Sequence, residues 1–403
     1  MKMHFKVLIF SVLYCTAMGA VPRTENSSEL ILTKLAMDIP IRVLLDEKNV
    51  TKPFQWKLES PGFFVVFSPG ENRRKTIVKA PTVVITHSKG SFYVNGLRQL
   101  SSHFFIVPLK DSITFGKNSF DGIFAVTKVN DNSYLVNHLD LEDYVLSVIP
   151  YESQLGWPDE VQKAFCISFR SYGISKVLEQ RALHARTGKL VPFDIKNTNA
   201  HQVYRGNLKS VPYKKNVEDT RGVVLVHDKK PVLAMFDICC GGVIPAKKKG
   251  IDFSKAPYLK RPYACEFCKN YKFYQWQHQF SFEKIEKELK KEFPTMGALR
   301  DIKVSARDDA GVALEIKFRS ANKWFTMTAA KFKSLFKELR SHYYTFTKSG
   351  RNLVIDGRGY GHLWGLCQRG TVEMVSQGWN CKNILKFYYP QATFMRLKKK
   401  ASL

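Results

Sequence analysis

The stretch LEDYVLSVIPYESQLGWPDEVQKAFCISFRSYG, Leu141 to Gly173, separates two kinds of chain. Its first part reads as a helix, and Trp157-Pro158-Asp159 opens a longer helical run through EVQKAFCISFRSYGISKVLEQRA. Pro158 suits a first helical position, where its missing N–H is not needed. Val161, Ala164, Phe165, Ser168 and Tyr172 then follow helical spacing. Between the two helical segments stands Glu152, among apolar and aromatic neighbours. A carboxyl group desolvated by such neighbours has a raised pKa, which is what a general acid near neutral pH requires. The plainer reading of the same residue is a glutamate at a helix end.

Upstream, from about Ile41 to Val136, the chain reads as short strands: IRVLL, FFVVFS, TVVITH, SFYVNG, FFIVPL, SITFG, GIFAVTKV and SYLVN. They are β-branched and aromatic, and Pro61-Gly62, Pro69-Gly70, Lys89-Gly90 and Asn130-Asp131-Asn132 divide them. Downstream, GVVLVHDKKPVLAMFDI predicts a hairpin turning at Asp228 to Pro231, and a Lys-, Pro- and Cys-rich insert runs from about Cys240 to Asn270. Phe282, Ile285, Leu289 and Phe293 predict an amphipathic helix, and Phe332, Leu335, Phe336 and Leu339 another. Between them IKVSARDDAGVALEIKF predicts a hairpin turning at Asp309-Ala310-Gly311. NLVIDG is then a strand, a helix runs from about Cys367 to Ser376, and KNILKFYYP nears the carboxyl end. The fold class is α+β: a β-rich amino-terminal half, a helical segment carrying Glu152, and a mixed carboxyl half.

Of 403 residues, 63 are Lys or Arg and 35 are Asp or Glu, a formal net charge of +28 that draws polyanions. The opening MKMHFKVLIFSVLYCTAMGA places Lys2 and Lys6 before an apolar run and small residues after it. It predicts a cleavable export signal over 1–20, because the apolar run is too short to span a bilayer. A linker over 21–39 and a basic tail over 398–403 flank the main domain of 40–397. Export turns the charge away from nucleic acid and toward cell-wall glycan or a membrane face, and no later stretch is long and apolar enough to cross a bilayer.

GRGYGHLWGLCQRG, Gly357 to Gly370, concentrates five glycines around one histidine. Its spacing fits neither the dinucleotide fingerprint nor the P-loop, whose lysine and hydroxyl are missing. His362 suits either a turn or a ligand, and Gln368 and Arg369 either cap the following helix or bind a polar ligand.

These segments occur together and in order, and together they resemble the SpoIID/LytB family, which acts on bacterial peptidoglycan. The opening stretch is similar to that family's LEEYL-GVVP-EM-x-x-WP-EALKAQAVAARTYA, with Leu141, Glu142, Tyr144, Val148, Pro150, Glu152, Trp157, Pro158, Arg170 and Tyr172 matching. HQVYRG at His201 to Gly206 resembles the family's Q-x-Y-x-G, Thr220 to Val223 its T-x-G-x, and Gly241-Gly242 the end of its S-S-G-G. The glycine loop resembles GRGWGHGVGMSQ-G, and ILKFYYPQATF resembles ILKHYYPGT. The resemblance covers about 40–397, divided into a β-rich part (about 40–137), a catalytic core (about 138–240 and 345–397) and an insert (about 241–344). The chain departs from the family at several points. Leu366-Cys367 stands for Met-Ser, Thr371 for Ala, Leu363-Trp364 for two small residues and Cys239-Cys240 for Ser-Ser, and Cys166 sits within the second helix.

The resemblance implies a lytic transglycosylase that cuts the MurNAc–GlcNAc bond of glycan strands stripped of stem peptides, leaving 1,6-anhydro-MurNAc ends. It places the catalytic role at Glu152. A hydrolase generally needs two carboxyl groups, whereas attack by the muramic C6 hydroxyl lets one residue protonate the leaving oxygen and then take the hydroxyl proton. A cleft for the glycan is expected to use Arg170, Tyr172, Gln202, Tyr204, Tyr360, His362, Gln368 and Arg369, with Trp364 as a further ring. Stripped strands carry lactyl carboxylates, a polyanion suited to a basic groove. The alternative is a noncatalytic glycan binder that enhances a peptidoglycan amidase. Partners are thus glycan strands and an amidase, with no nucleic acid, and the location is the periplasm or envelope.

No cofactor is required by this chemistry. Eight cysteines include Cys15 in the leader, which leaves seven beyond it. Cys239, Cys240, Cys265 and Cys268 form C-C-x24-C-x2-C, whose second half has zinc-like spacing, whereas adjacent cysteines make a poor first half. Disulfides, free thiols and a structural zinc are all open.

Overall fold

A computed structural model describes residues 39–68, 75–109, 112–198, 201–207, 213–321 and 323–397. The leader with Cys15, nearly all of the linker, the Pro69-Gly70 turn and the basic tail lie outside the described residues.

The amino-terminal half folds as two antiparallel layers closed by one parallel pairing. A seven-stranded sheet runs in the order 195–196, 40–49, 132–140, 123–129, 103–108, 64–67, 75–78, and a six-stranded sheet in the order 118–120, 113–115, 54–59, 82–88, 91–94, 97–98. Alternation drives the layering: in Thr82–Ser88 every second residue, Val83, Ile85 and His87, is buried. Each predicted strand is present. Phe54–Glu59 lies at the middle of its sheet although its sequence, FQWKLE, shows only Trp56 and Leu58 as inward apolar positions.

Helix α1, Leu141–Glu152, follows the strand 132–140 directly. Asp140 caps it, its Oδ1 accepting from the Glu142 N–H at 2.9 Å. Pro150 lies in the last turn, and the helix closes two residues later. Helix α2, Asp159–Thr187, is buried almost all round from Val161 to Ile174. A helix so enclosed belongs to the centre of a domain, and α2 packs against α1, the strand 223–227 and the carboxyl-terminal helices. The short α3, Lys214–Asp219, adds one more face.

The expected hairpin at Asp228 forms with both Asp228 and Lys229 at positive φ, and its pairing is limited to Val226 with Pro231 and His227 with Lys230. Phe236 and Asp237 then pair in parallel with Leu366 and Cys367 of the glycine loop, so the segment after the turn serves a different partner.

A second core gathers Trp276, Phe280, Ile285, Phe318, Phe332, Leu353 and Ile355. It holds α4 (Phe282–Lys290), α5 (Ala329–Leu335), the sheet 299–307/313–320/323–328, and the sheet 275–281/352–358/344–349. The strand carrying NLVIDG therefore pairs within the insert, not within the carboxyl core with which the sequence reading grouped it. Its last residues lead out of the insert into the glycine loop, then α6 (Gln368–Ser376) and α7 (Cys381–Tyr388) return to α2. Strand 393–396 closes against 223–227.

Candidate active site

Three segments distant in sequence meet at Glu152. Its carboxyl Oε1 accepts from the Val203 N–H at 2.5 Å, which ties the end of α1 to the Gln202-Val203-Tyr204 segment. Its backbone carbonyl accepts from Gln368 Nε2 at 2.8 Å, which ties it to the first residue of α6. Gln162 of α2 donates to the Gln154 carbonyl at 3.0 Å and accepts from Ser153 Oγ at 2.9 Å, fixing the turn that follows.

Burial raises the Glu152 pKa, and the Val203 N–H only partly opposes that. The helix C-terminus, whose carbonyls present partial negative charge, also disfavours the carboxylate. The side chain is only half-buried, so the acid keeps a solvent-facing edge. Among the described residues no second carboxyl group contributes to its shift, so this acid is raised by desolvation and not by a carboxylate partner.

The other expected site residues fall into three groups. Gln368 and Arg369 lie beside Glu152. Arg369 reaches Gln154 Oε1 at 3.4 Å and stacks over Tyr271 and Trp157, its guanidinium carbon 4.5 and 5.4 Å from the ring centroids. Tyr172 and Tyr144 lie close enough for a charged Glu152 to oppose ionisation of their phenols, yet both are buried.

Arg170, Gln202 and Tyr204 form the second group, and for them the expectation of a groove-lining role is corrected. Each is 0% exposed. Arg170 makes a bidentate ion pair with Glu142 at 2.9 and 2.7 Å and donates to the Val223 carbonyl at 3.1 Å, while Glu142 also accepts from the Gly222 N–H at 2.9 Å. The pair bolts α1, α2 and the Thr220-Arg221-Gly222-Val223 turn together. Gln202 accepts from the Tyr144 hydroxyl at 2.7 Å, and Tyr204 stacks on Tyr144 and donates to Asn137 Oδ1 at 2.5 Å. These are framework contacts that hold the Val203 N–H at Glu152.

His362, Trp364 and Tyr360 belong to the third group, the glycine loop. His362 keeps 32% of its side chain exposed, and its Nδ1 lies 3.5 Å from Asp237 Oδ2. Loss of hydration and the nearby Lys248 ammonium lower its pKa, so the ring is neutral at pH 7. Nδ1 accepts from the Trp364 N–H at 3.3 Å, which puts the ring proton on Nε2, and a hydrogen bond of the ring to the Phe236 backbone partly opposes the lowering. Lys248 donates to the His362 carbonyl and lies over the Trp364 ring. Asp237, buried and pushed up to about 8 by desolvation, accepts from the Leu363 N–H at 2.5 Å. Tyr360 turns to Phe273 and Arg340 of the insert.

Asp237 and Lys248 were missed by sequence reasoning. A lone acid closing the apolar run VLAMFDI was the available signal for the first, and a lysine tract carried none for the second.

The glycines serve the loop's own packing. A Cβ on Gly361 (φ +124) would stand 2.4 Å from Asp237 Cβ, and one on Gly365 (φ +73) would stand 1.9 Å from the Met235 carbonyl oxygen. Leu363, which stands where the family has a small residue, is turned inward. It is 1% exposed, at φ +69, and packs with Val243 and Val312. A left-handed conformation costs a leucine about 1–2 kcal/mol, and burial of its side chain, about 1.5–3 kcal/mol, offsets this. The side chain pins the loop to the insert.

Four cysteine sulfurs, those of Cys240, Cys265, Cys268 and Cys367, lie within 4.8 Å of one another, all buried. Of the adjacent pair only Cys240 joins, so Cys367 takes the place that the sequence reading gave to Cys239. The described cysteines are all free.

Comparison with known proteins gives these features a family. Residues 129–227 match the Stage II sporulation protein family, SpoIID, and residues 260–365 match a domain of unknown function, DUF8618. The second match coincides with the separate core of the insert. An uncharacterized protein of Brachyspira hyodysenteriae is 28% identical over 283 residues, covering 70% of this chain and 73% of that one. The Stage II sporulation protein D of Bacillus amyloliquefaciens is 24% identical, covering 66% of this chain and 77% of its own. The Amidase enhancer of Bacillus subtilis is 27% identical over 61% of this chain, which spans 39% of that protein. Among the described residues no helix is long and apolar enough to cross a membrane. The match across α1, α2 and the Gln202 segment, together with the sporulation protein D and amidase enhancer relatives, supports a SpoIID/LytB family assignment.

Proposed function

We propose that this protein acts on the bacterial cell wall as a peptidoglycan lytic transglycosylase in the envelope, with Glu152 as its single acid and base. The observation that carries the reading is the state of Glu152: a half-buried carboxyl whose pKa is raised by desolvation, with no carboxylate partner shifting it among the described residues. In the proposed reaction the protonated Glu152 gives its proton to the glycosidic oxygen of the GlcNAc leaving group as the MurNAc C1–O bond breaks. The carboxylate so formed takes the proton of the muramic C6 hydroxyl while O6 bonds to C1. Glu152 ends protonated, no water is consumed, and the new end is 1,6-anhydro-MurNAc.

A formal charge of +28 suits an anionic strand, and free lactyl carboxylates make a peptide-stripped strand one. Arg369, beside Glu152 and stacked on Trp157 and Tyr271, is the cation best placed for them. Purified protein incubated with stripped and with peptide-bearing glycan is expected to release anhydro-ended fragments from the stripped strands. Reducing ends would instead identify a hydrolase. Unchanged strands that remain bound would favour the second reading, an amidase-enhancing binder, which the Bacillus subtilis relative motivates.

His362 is proposed to donate a hydrogen bond from Nε2 to the sugar chain. Because the ring is partly exposed, His362→Ala is expected to keep its melting temperature within about 2 °C, as for surface substitutions. Glycan affinity should fall about tenfold or more, the worth of one lost hydrogen bond in a desolvated site. Isothermal titration with stripped strands reads this, and unchanged affinity would return His362 to a turn-forming role.

A further inference from the structure

We infer that Cys240, Cys265, Cys268 and Cys367 bind one structural zinc ion, which fastens the glycine loop and the start of α6 to the cysteine-rich insert. Tetrahedral zinc with four sulfurs at about 2.3 Å sets the sulfurs about 3.8 Å apart. Cys240 Sγ and Cys268 Sγ stand 3.7 Å apart, and all four sulfurs fall within 4.8 Å of one another. Among the described residues no imidazole or carboxylate joins the group, and an all-thiolate tetrahedral set selects zinc over harder divalent ions.

The surroundings suit thiolates. Cys367 Sγ accepts from the Cys240 N–H and the Gly370 N–H, both at 3.3 Å. Cys265 Sγ lies 3.2 Å from the Tyr388 hydroxyl, which donates to a thiolate. Such outer donors orient metal-bound sulfurs and spread their charge. Gly370 leaves the room this requires, because a Cβ there would lie 2.2 Å from the Tyr388 hydroxyl and 2.9 Å from Cys265 Sγ. Arg261, 0% exposed, holds its guanidinium 5.8 Å from the Tyr388 ring centroid and is without a carboxylate partner among the described residues. A tetrathiolate zinc centre has two negative charges, one of which this guanidinium would offset.

The ligands span the fold. Cys240 follows the strand 236–237, Cys265 and Cys268 lie in the insert, and Cys367 both pairs with that strand and caps α6. The next residue, Gln368, holds the Glu152 carbonyl. Zinc would thus fix the loop on which the acid's backbone rests.

The test uses the full chain purified without chelator. Native mass spectrometry is expected to give about one zinc per chain, and a mercurial thiol reagent to release it to a zinc-binding dye. Replacing zinc by Co²⁺ should give the sulfur-to-cobalt charge-transfer bands and intense visible bands of a tetrahedral tetrathiolate. Cys367→Ser separates the roles of Cys367: serine is a good N-cap, so a purely capping residue would tolerate it. With zinc as the ligand partner, Cys367→Ser should lose the tetrathiolate spectrum and retain at least about tenfold less zinc against a chelator. Cys239→Ser and Cys166→Ser should keep both. Disulfides among the four cysteines in non-reducing peptide maps, four reduced thiols without metal after zinc supplementation, or a Cys239→Ser variant that loses the spectrum would overturn the assignment.

Discussion

Glu152→Gln is expected to reduce cleavage of stripped glycan by about 10³-fold or more, within the range that general acid–base catalysis supplies, while leaving glycan binding intact. Glutamine keeps the oxygen that accepts from the Val203 N–H, so the junction of α1 with the Gln202 segment survives. Its thermal stability should be equal or higher above the ordinary carboxyl range. The sign follows from linkage. A carboxyl whose folded pKa is raised imposes no penalty where both states hold the proton, and destabilises the fold progressively as pH rises from the unfolded value to the folded one, above which the penalty stays constant. Removing the charge therefore helps most at neutral and alkaline pH. The same raised pKa predicts that wild-type cleavage falls as pH rises through it, because the protonated acid is the reactive form. A Glu152→Gln enzyme that still cuts strands would remove Glu152 from the chemistry; one that fails to fold would be seen in its melting curve.

Arg170→Met is expected to destabilise the protein by about 3–5 kcal/mol, the cost of leaving a buried carboxylate without its partner. Arg170 is 0% exposed and Glu142 is 8% exposed, and the guanidinium also satisfies the Val223 carbonyl. Methionine fills much of the space and none of the hydrogen bonds. Pairing it with Glu142→Leu should recover a large part of the loss, since an apolar replacement of both charges is often near neutral. Denaturant titration of the two single variants and the double variant measures the coupling. A single Arg170→Met variant of wild-type stability but poor glycan binding would mean that Arg170 faces substrate after all.

The two cases show what the residues disclosed. For Glu152 the apolar neighbours foretold desolvation, and its place as the last residue of α1 fits the plainer reading of a helix-end glutamate; the catalytic role came from the family resemblance and not from the residues. Arg170 was not legible, because the same helical spacing that marks α2 as packed cannot say that α2 is enclosed on every side. An arginine in such a helix must find a carboxylate, and its partner lies 28 residues away at the start of α1. Cys367 was hidden by distance: nothing in the chain order sets it beside a C-x2-C unit about a hundred residues earlier until the parallel pairing of 236–237 with 366–367 brings them together. Phe54–Glu59 was hidden by its exposed residues, since Gln55, Lys57 and Glu59 occupy the outward face of a central strand. The glycine loop was legible as a close approach, and the structure supplies the partner: Asp237 and the Met235 carbonyl stand where side chains would otherwise project.

The central claim is that one acid, with no hydrolytic water, breaks the glycan strand. Digestion of peptide-stripped strands in ¹⁸O-water, with mass spectrometry of the new muramic ends, tests it most directly. Ends lighter by one water and free of ¹⁸O are the predicted result, whereas ¹⁸O-labelled reducing ends, or strands left uncut by a folded protein, would contradict it.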